Sequence, residues 1–207
     1  MRNVDDGAVV ESGPGRRFTV FEGTRRIGAG DLPAVAVMVR KTLARGGRAG
    51  VLVFDDVTSE QIELDVRGSV AEVRARAAAR MAAMAAPAPS PELPRGRGRP
   101  KLGVVAREVT LLPRHWEWLG EQPGGASVAL RKLVDAARKA NEGKDRLRRA
   151  QDSAYRFMSA MAGNFPGFEE AVRALFGGDA ARFEELVSAW PAGVRSHAMK
   201  LAGRVFQ

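Results

Sequence analysis

The sequence predicts an α+β protein in which a small ββαββα domain is followed by a Pro-rich basic linker and then by helices. Three observations predict this order. Apolar residues alternate in short runs before residue 67, they recur with helical spacing after residues 31 and 127, and prolines cluster between 87 and 100. A chain of 207 residues has room for two or three small domains.

The α+β domain is predicted over residues 17–84, after a tail at 1–16 that we expect to be disordered. Its elements follow from local signals such as glycine turns and capping residues. In order they are a hairpin about Gly23, a helix capped by Asp31 that stops at 46–47, a buried strand over 51–54, a half-buried strand over 62–66, and a helix opened by the capping box of Ser69 and Glu72.

Three further parts are predicted after that domain. Residues 85–101 form a Pro-rich linker and basic arm, residues 102–140 form a strand followed by two helices, and residues 141–207 are helical. Within the last part, the pattern predicts helices over Phe168–Phe176 and Ala180–Trp190, then a turn at Pro191 that leads into another helix.

The net charge of +9 is concentrated in one segment. Residues 91–150 hold fourteen Lys and Arg against seven Asp and Glu, whereas residues 151–207 hold six of each. A basic segment attracts polyanions, so we expect nucleic acid as the partner; a solvated surface is the alternative explanation of the charge.

The composition argues against several chemistries. The chain has no cysteine and only two histidines, so we expect no disulfide, metal site or cofactor. For an enzyme that used the N-terminal domain, Asp55 and Asp56 would be the only obvious acids, and because neighbouring strand residues face opposite ways, a turn explains them better than catalysis. We expect a non-enzymatic cytoplasmic protein, since we find no secretory signal and no membrane-spanning run.

The basic arm resembles an AT-hook, a short element that binds the minor groove of A·T-rich DNA. The resemblance is carried by the run from Pro94 to Lys101 and is centred on RGRP. Glycine lets the backbone lie against the groove floor, and arginines can enter a narrow groove of negative potential. The residues implied are Arg95, Arg97, Gly98, Arg99, Pro100 and Lys101; a flexible linker that touches phosphates without selectivity is the alternative.

Residues 104–139 resemble the ribbon-helix-helix family of bacterial repressors and antitoxins, most closely in the phrase GASVALRKLV that begins at Gly125. The resemblance implies a homodimer whose paired strands enter the major groove. It also implies that Gly125, Ala126 and Ser127, at the start of the second helix, hold a phosphate. Depending on the strand register, either Thr110 or Arg107 faces the groove.

Two tryptophans and both histidines have structural interpretations. Trp116 shares a helix face with Leu119 and is predicted to be core, while Trp118 and His115 are predicted at the surface. His197 is predicted to be a packed, hydrogen-bonded core residue rather than a ligand.

From residue 18 to 207 the chain resembles the bacterial DUF2239 family, in phrases such as FEGTRRIGAGDL, RGRPKLGVVAREVTLLPRHWEWL and AYRFMSAMAGNFPGFEEAVRALF. That resemblance implies no particular activity. The residues themselves favour a DNA-binding protein of the nucleoid, either a transcriptional regulator or a nucleoid organiser. The alternative is a protein-interaction module, an antitoxin or adaptor, whose basic linker does not bind DNA specifically.

Overall fold

The computed structural model describes residues 15–46, 50–85 and 107–207. It divides into two compact units, one made of Met1–Met84 with Arg146–Gln207 and the other of Ala85–Asp145. Seven helices and a three-stranded antiparallel sheet occur among the described residues, so the mixed α+β class is confirmed. Residues 1–14 of the predicted tail and residues 86–101 of the predicted linker lie outside this description.

The sheet of the first unit has the strand order β2-β1-β3. Strand β1 is Phe18–Glu22, β2 is Arg25–Gly30 and β3 is Val51–Asp55. Both pairings are antiparallel. The predicted hairpin is confirmed, and its turn places Gly23 at φ 53°, a left-handed conformation that glycine adopts without strain.

Two helices of the first unit begin at the predicted caps. Helix α1, Leu32–Ala44, starts where the Asp31 carboxylate accepts a hydrogen bond of 2.8 Å from the Ala34 amide. Helix α2, Val70–Ala85, starts with the capping box, in which the Ser69 amide donates to Glu72 over 2.7 Å. These side chains satisfy amides that have no partner within the helix, so local sequence fixes both starts.

The predicted fourth strand over 62–66 is wrong. Ile62, Leu64 and Val66 are half-buried and pack against the core, while the residues between them are exposed, as the alternation predicted. However, the segment makes only an isolated bridge, between Phe54 and Gln61.

Helix α2 explains this difference. The carbonyls of Asp65 and Arg67 accept hydrogen bonds from Arg76, and that of Glu63 accepts one from Arg80. Buried apolar side chains therefore give the segment its alternation, while arginine side chains satisfy carbonyl groups that a neighbouring strand would otherwise pair.

Five helices follow in the chain, and one of them corrects a predicted boundary. They are α3 (Pro113–Gly120), α4 (Gly125–Ala162), α5 (Phe168–Gly177), α6 (Ala180–Val187) and α7 (Ala192–Ala202). Helix α4 runs without a break through residues 140 and 141, where the sequence suggested that one part ends and the next begins. Gly143 lies inside it, at a cost of about 1 kcal/mol relative to alanine.

Strands β1 and β3 contribute buried side chains on both faces of the sheet. Phe18, Val20 and Val53 belong to a core with helices α1 and α2. Phe21 and Phe54 belong to a second core that they share with residues of α4 to α7. Residues 17–84 and 146–207, which the sequence suggested as separate parts, thus share one hydrophobic core, and this explains why the run over 51–54 is apolar on both faces.

Helix α7 approaches the β1–β2 turn so closely that only glycine fits at position 193. A Cβ on Gly193 would lie 2.7 Å from the Thr24 carbonyl oxygen and 2.8 Å from the Arg26 nitrogen. We expect Gly193→Ala to lower the free energy of unfolding by about 1–3 kcal/mol, because backbone must move to admit the methyl group. Urea unfolding of the purified protein measures this.

Gly177→Ala is the matched control for that substitution. Gly177 also lies in a helix, and a Cβ there meets nothing within 4 Å. The control is expected to be neutral or slightly stabilising. Equal losses in both variants would show that the close approach of α7 does not constrain the fold.

Candidate nucleic-acid interface

The residues predicted to contact DNA fall into three groups. Arg95, Arg97, Gly98, Arg99, Pro100 and Lys101 lie outside the described residues. Arg107 and Thr110 are exposed on the segment before α3, and Gly125, Ala126 and Ser127 form the first turn of α4.

The strand predicted over 105–111 is wrong for the single chain over the part that is described. Residues 107–112 adopt no strand, and Val109 and Leu112 are 53% and 49% exposed. A strand needs a neighbour to satisfy its backbone groups, and no neighbour pairs with this segment within the described chain. Arg107 and Thr110 are therefore accessible, and no strand pairing in the single chain fixes which of them faces outward.

Helix α3 confirms one prediction and corrects another. Leu119 is only 2% exposed, as its predicted helix face requires, and Pro113 occupies the first turn. Trp116, predicted to be core, is 44% exposed, nearly as much as Trp118 at 49%. The helix has eight residues, and Leu119 is its only buried side chain.

A glycine turn joins α3 to α4. Gly124 and Gly125 have φ values of 87° and 73°, which explains why two glycines follow Pro123. Helix α4 begins at Gly125, so Ser127 lies inside its first turn.

The first turn of α4 is an ordinary helix start, and one of its amides already has a backbone partner. The Gly125 amide donates to the Gln122 carbonyl over 2.8 Å, and Ser127 is exposed. Amides in the first turn of a helix point along its axis, and the helix dipole adds partial positive charge there. These two features are common to helix starts and do not by themselves define a ligand.

The largest concentration of basic residues in the described chain lies further along α4. Residues 131–149 carry eight Lys and Arg against three Asp and Glu, whereas residues 107–128 carry two against three. All eight basic residues are exposed. They are Arg131, Lys132, Arg138, Lys139, Lys144, Arg146, Arg148 and Arg149. At 1.5 Å per residue, they span about 28 Å of helix.

Asp55 and Asp56 are buried and bonded within the first unit. The Asp55 carboxylate accepts from the amides of Val57 and Thr58 over 2.8 and 2.9 Å and pairs with Arg16. It thereby caps the turn after β3, as the sequence suggested. The same turn contacts α4, where the hydroxyls of Ser59 and Ser153 lie 2.9 Å apart.

Asp56 connects the turn to β1 and α7. Its carboxylate accepts from Thr19 over 2.6 Å and from Lys200 over 2.7 Å, and its carbonyl accepts from Arg204 over 2.8 Å. Burial tends to raise the pKa of Asp56, but the hydrogen bonds from Lys200 and Thr19 outweigh this effect and hold the pKa below its ordinary value. Asp56 therefore stays charged and bonded inside the fold.

His197 of α7 is buried, as predicted, and is 2% exposed. Its ring lies 4.5 Å from that of Phe157 and 5.5 Å from that of Phe21, measured between centroids. The predicted hydrogen bonding is not found at Nε2, which has no partner among the described residues. Burial lowers the pKa of His197 to about 4; the negative charge of Asp56 opposes this, and Lys200, Arg26 and Arg204 add to it.

The described part of the chain has neither a metal-ligand cluster nor a membrane-length apolar helix. No group of three or more His, Asp or Glu there has a geometry suited to a metal ion. No helix in that part is long and apolar enough to cross a membrane. One pocket is lined by Glu184, Val187, Ser188, Arg195, Ser196 and Met199, and it does not include the buried acids of the turn after β3.

The described residues define an α+β protein whose three-stranded sheet is buried between two groups of helices and whose helix α4 begins in a second, charged unit. The chain belongs to a bacterial family described as uncharacterized protein conserved in bacteria (DUF2239), whose model matches residues 17–202. No curated protein and no solved structure matches the chain.

Proposed function

We propose that this protein binds DNA as a homodimer and acts in transcriptional regulation or nucleoid organisation. The observation that carries the proposal is the exposed, basic stretch of α4 at residues 131–149. Side chains that neutralise phosphates release condensed counterions, so a basic surface about 28 Å long favours a duplex.

Three parts of the chain contribute in this proposal. The arm at 95–101 inserts Arg97 and Arg99 into the minor groove, and Arg95 and Lys101 contact flanking phosphates. The first turn of α4 offers its amides to another phosphate. When two chains pair, residues 104–111 form the ribbon that carries Arg107 or Thr110 into the major groove.

The exposure of the second unit supports dimerisation. Of its described residues, 107–145, only Leu119 and Ala129 are buried. So small a core cannot offset the conformational entropy of ordering the unit, and a second chain would supply the missing burial.

Arg97→Ala together with Arg99→Ala is expected to reduce the preference for A·T-rich over G·C-rich duplexes, because both arginines enter the narrow groove.

Arg131→Gln together with Arg138→Gln is expected to weaken binding to all duplexes alike and to reduce the salt slope of log K by about 1–2. Fluorescence anisotropy across a salt series measures both effects.

Arg173→Gln together with Arg182→Gln is the matched control. It removes the same charge from exposed positions in α5 and α6 and should leave both quantities unchanged. Failure of the parent protein to bind any duplex at low salt would contradict the proposal. The exposed Trp116 and Trp118 would then favour the alternative, a module that binds another protein.

A further inference from the structure

Four turns of α4 are exposed on every side. Each residue from Arg131 to Lys144 is exposed, including Leu133 at 49% and Val134 at 54%. A helix with large apolar side chains in water gains nothing from them unless a partner covers them. A partner that covers these apolar side chains would therefore stabilise this part of the helix.

The charged residues of this stretch avoid one face of the helix. Leu130, Leu133, Ala137 and Ala140 follow one another at alternating spacings of three and four, the spacing of coiled-coil core positions. The positions beside that seam hold the uncharged residues Val134, Ala136, Asn141 and Gly143. Every charge between 131 and 142 lies on the remaining positions; these are Arg131, Lys132, Asp135, Arg138, Lys139 and Glu142. We call residues 130, 133, 134, 136, 137 and 140 the uncharged face of α4.

The uncharged face does not select an acidic or a basic partner by charge. Its shape, however, is complementary to itself, because two leucines at one end are followed by two alanines at the other. In an antiparallel pair centred near residue 135, Leu130 faces Ala140 of the other helix and Leu133 faces Ala137. Large side chains then fill the space left by small ones in every layer.

A parallel pair fits less well. It would stack leucine on leucine at two layers and alanine on alanine at the next two, so helices held apart by leucines would leave voids between alanines. The antiparallel arrangement also places the two helix dipoles in opposition.

We propose that the uncharged face of α4 pairs with the same face of a second copy of this chain, antiparallel and centred near residue 135. The charged positions of both helices then point outward and remain available to a polyanion. This inference deepens the homodimer of the proposed function, but it concerns the protein alone and is tested without DNA.

Sedimentation velocity of the full chain over a range of concentrations tests self-association. The parent is expected to dimerise, and Leu133→Gln is expected to raise the dissociation constant by about tenfold or more, because each dimer loses two buried leucines. Lys132→Gln changes the neighbouring residue on the charged side and is expected to leave the constant unchanged. Circular dichroism checks that both variants keep their helices.

Single cysteines test the orientation, since the natural chain contains none. With the proposed centre, position 136 of one helix lies beside position 136 of the other, while position 137 faces 133. Ala136→Cys is therefore expected to cross-link with a short bismaleimide faster than Ala137→Cys. In a parallel pair that order reverses, because position 137 then faces its own equivalent. Glu142→Cys, on the charged side, is the negative control.

A parent that stays monomeric at submillimolar concentration would overturn this inference, as would a dimer that Leu133→Gln does not weaken. Faster cross-linking at 137 than at 136 would overturn the antiparallel arrangement. DNA binding is read out separately, so a dimer that ignores DNA refutes the proposed function alone. A monomer that still binds DNA refutes the pairing and the dimeric form of the proposed function, but leaves DNA binding itself intact.

Discussion

Phe157→Ala is expected to lower the free energy of unfolding by about 3–5 kcal/mol, the largest loss from any single truncation that we propose. Phe157 lies on α4 and is fully buried. Its ring centroid is 5.4 Å from that of Phe21 and 5.2 Å from that of Phe54, so it packs near both aromatic residues that the sheet contributes to the core shared with α4 to α7. Truncation leaves a cavity where the sheet meets the C-terminal helices.

The structure also predicts how Phe157→Ala unfolds. Phe21, Phe54 and the buried residues of α4 to α7 form one core, so sheet and helices should lose structure in one transition rather than two. Urea unfolding followed by far-UV circular dichroism and by tryptophan fluorescence of Trp190, which is 2% exposed, measures this. The other two tryptophans belong to α3 and give a background signal.

Tyr155→Ala is the matched control for Phe157→Ala. Tyr155 lies two residues earlier on the same helix and is 44% exposed. Its removal should cost far less, since little buried area is lost. Separate transitions, or comparable losses in both variants, would contradict a shared core.

Local signals predicted much of this fold. Asp31 and the pair Ser69 and Glu72 fix helix starts through hydrogen bonds to amides within three residues, so neither start depends on the rest of the chain. The turn at Gly23 is local in the same way. Such interactions can be predicted from the sequence because both partners lie within a few residues of each other.

Interactions between distant residues could not be predicted from the sequence. Nothing near Ile62 reveals that Arg76 and Arg80 satisfy the carbonyls of the following segment, so the alternation suggested a strand. Nothing near Phe21 reveals that Phe157, far along the chain, packs against it. The alternation of a segment indicates which side chains are buried but not which groups pair with its backbone.

The candidate site also combines features that the sequence predicts with features that it does not. The burial of Leu119 followed from the helix face that the sequence predicts, but the exposure of Trp116 on the same face did not, because periodicity gives a face without identifying what covers it. The uncharged face of α4 has a sequence signal in the spacing of its apolar residues. Its spacing of three and four continues from Ala137 to Ala140, but this reaches the predicted boundary without crossing it, so the spacing did not reveal that α4 continues.

Acid is expected to destabilise the protein through His197, and His197→Phe is expected to remove that effect. Burial holds the pKa of His197 near 4, below its ordinary value of 6.5, so the folded protein keeps the ring neutral where the unfolded chain protonates it. Between pH 6.5 and 4 the unfolded state therefore binds more protons, and the free energy of unfolding falls as the pH falls. The loss approaches about 1.4 kcal/mol per pH unit and reaches on the order of 3 kcal/mol.

The groups around His197 support this direction. Its ring lies against the rings of Phe21 and Phe157. The positive charges of Lys200, Arg26 and Arg204 disfavour protonation of the ring, whereas the negative charge of Asp56 favours it. The lowered pKa of Asp56 acts in the same direction at lower pH, since its charged form stabilises the fold above the ordinary value of 3.8. The part due to Asp56 should survive in His197→Phe.

Urea unfolding at intervals between pH 4 and 7 measures these effects in three proteins. In His197→Phe the free energy of unfolding should be nearly independent of pH above about 5; below that the lowered pKa values of Glu72 and Asp56 also contribute. At pH 7 it should equal or exceed that of the parent, because phenylalanine removes an unpaired buried nitrogen. His115→Phe changes the other histidine, which is exposed, and should keep the acid dependence of the parent. If both variants retain that dependence, the protonation that weakens the fold occurs elsewhere, and the buried ring is not what limits stability in mild acid.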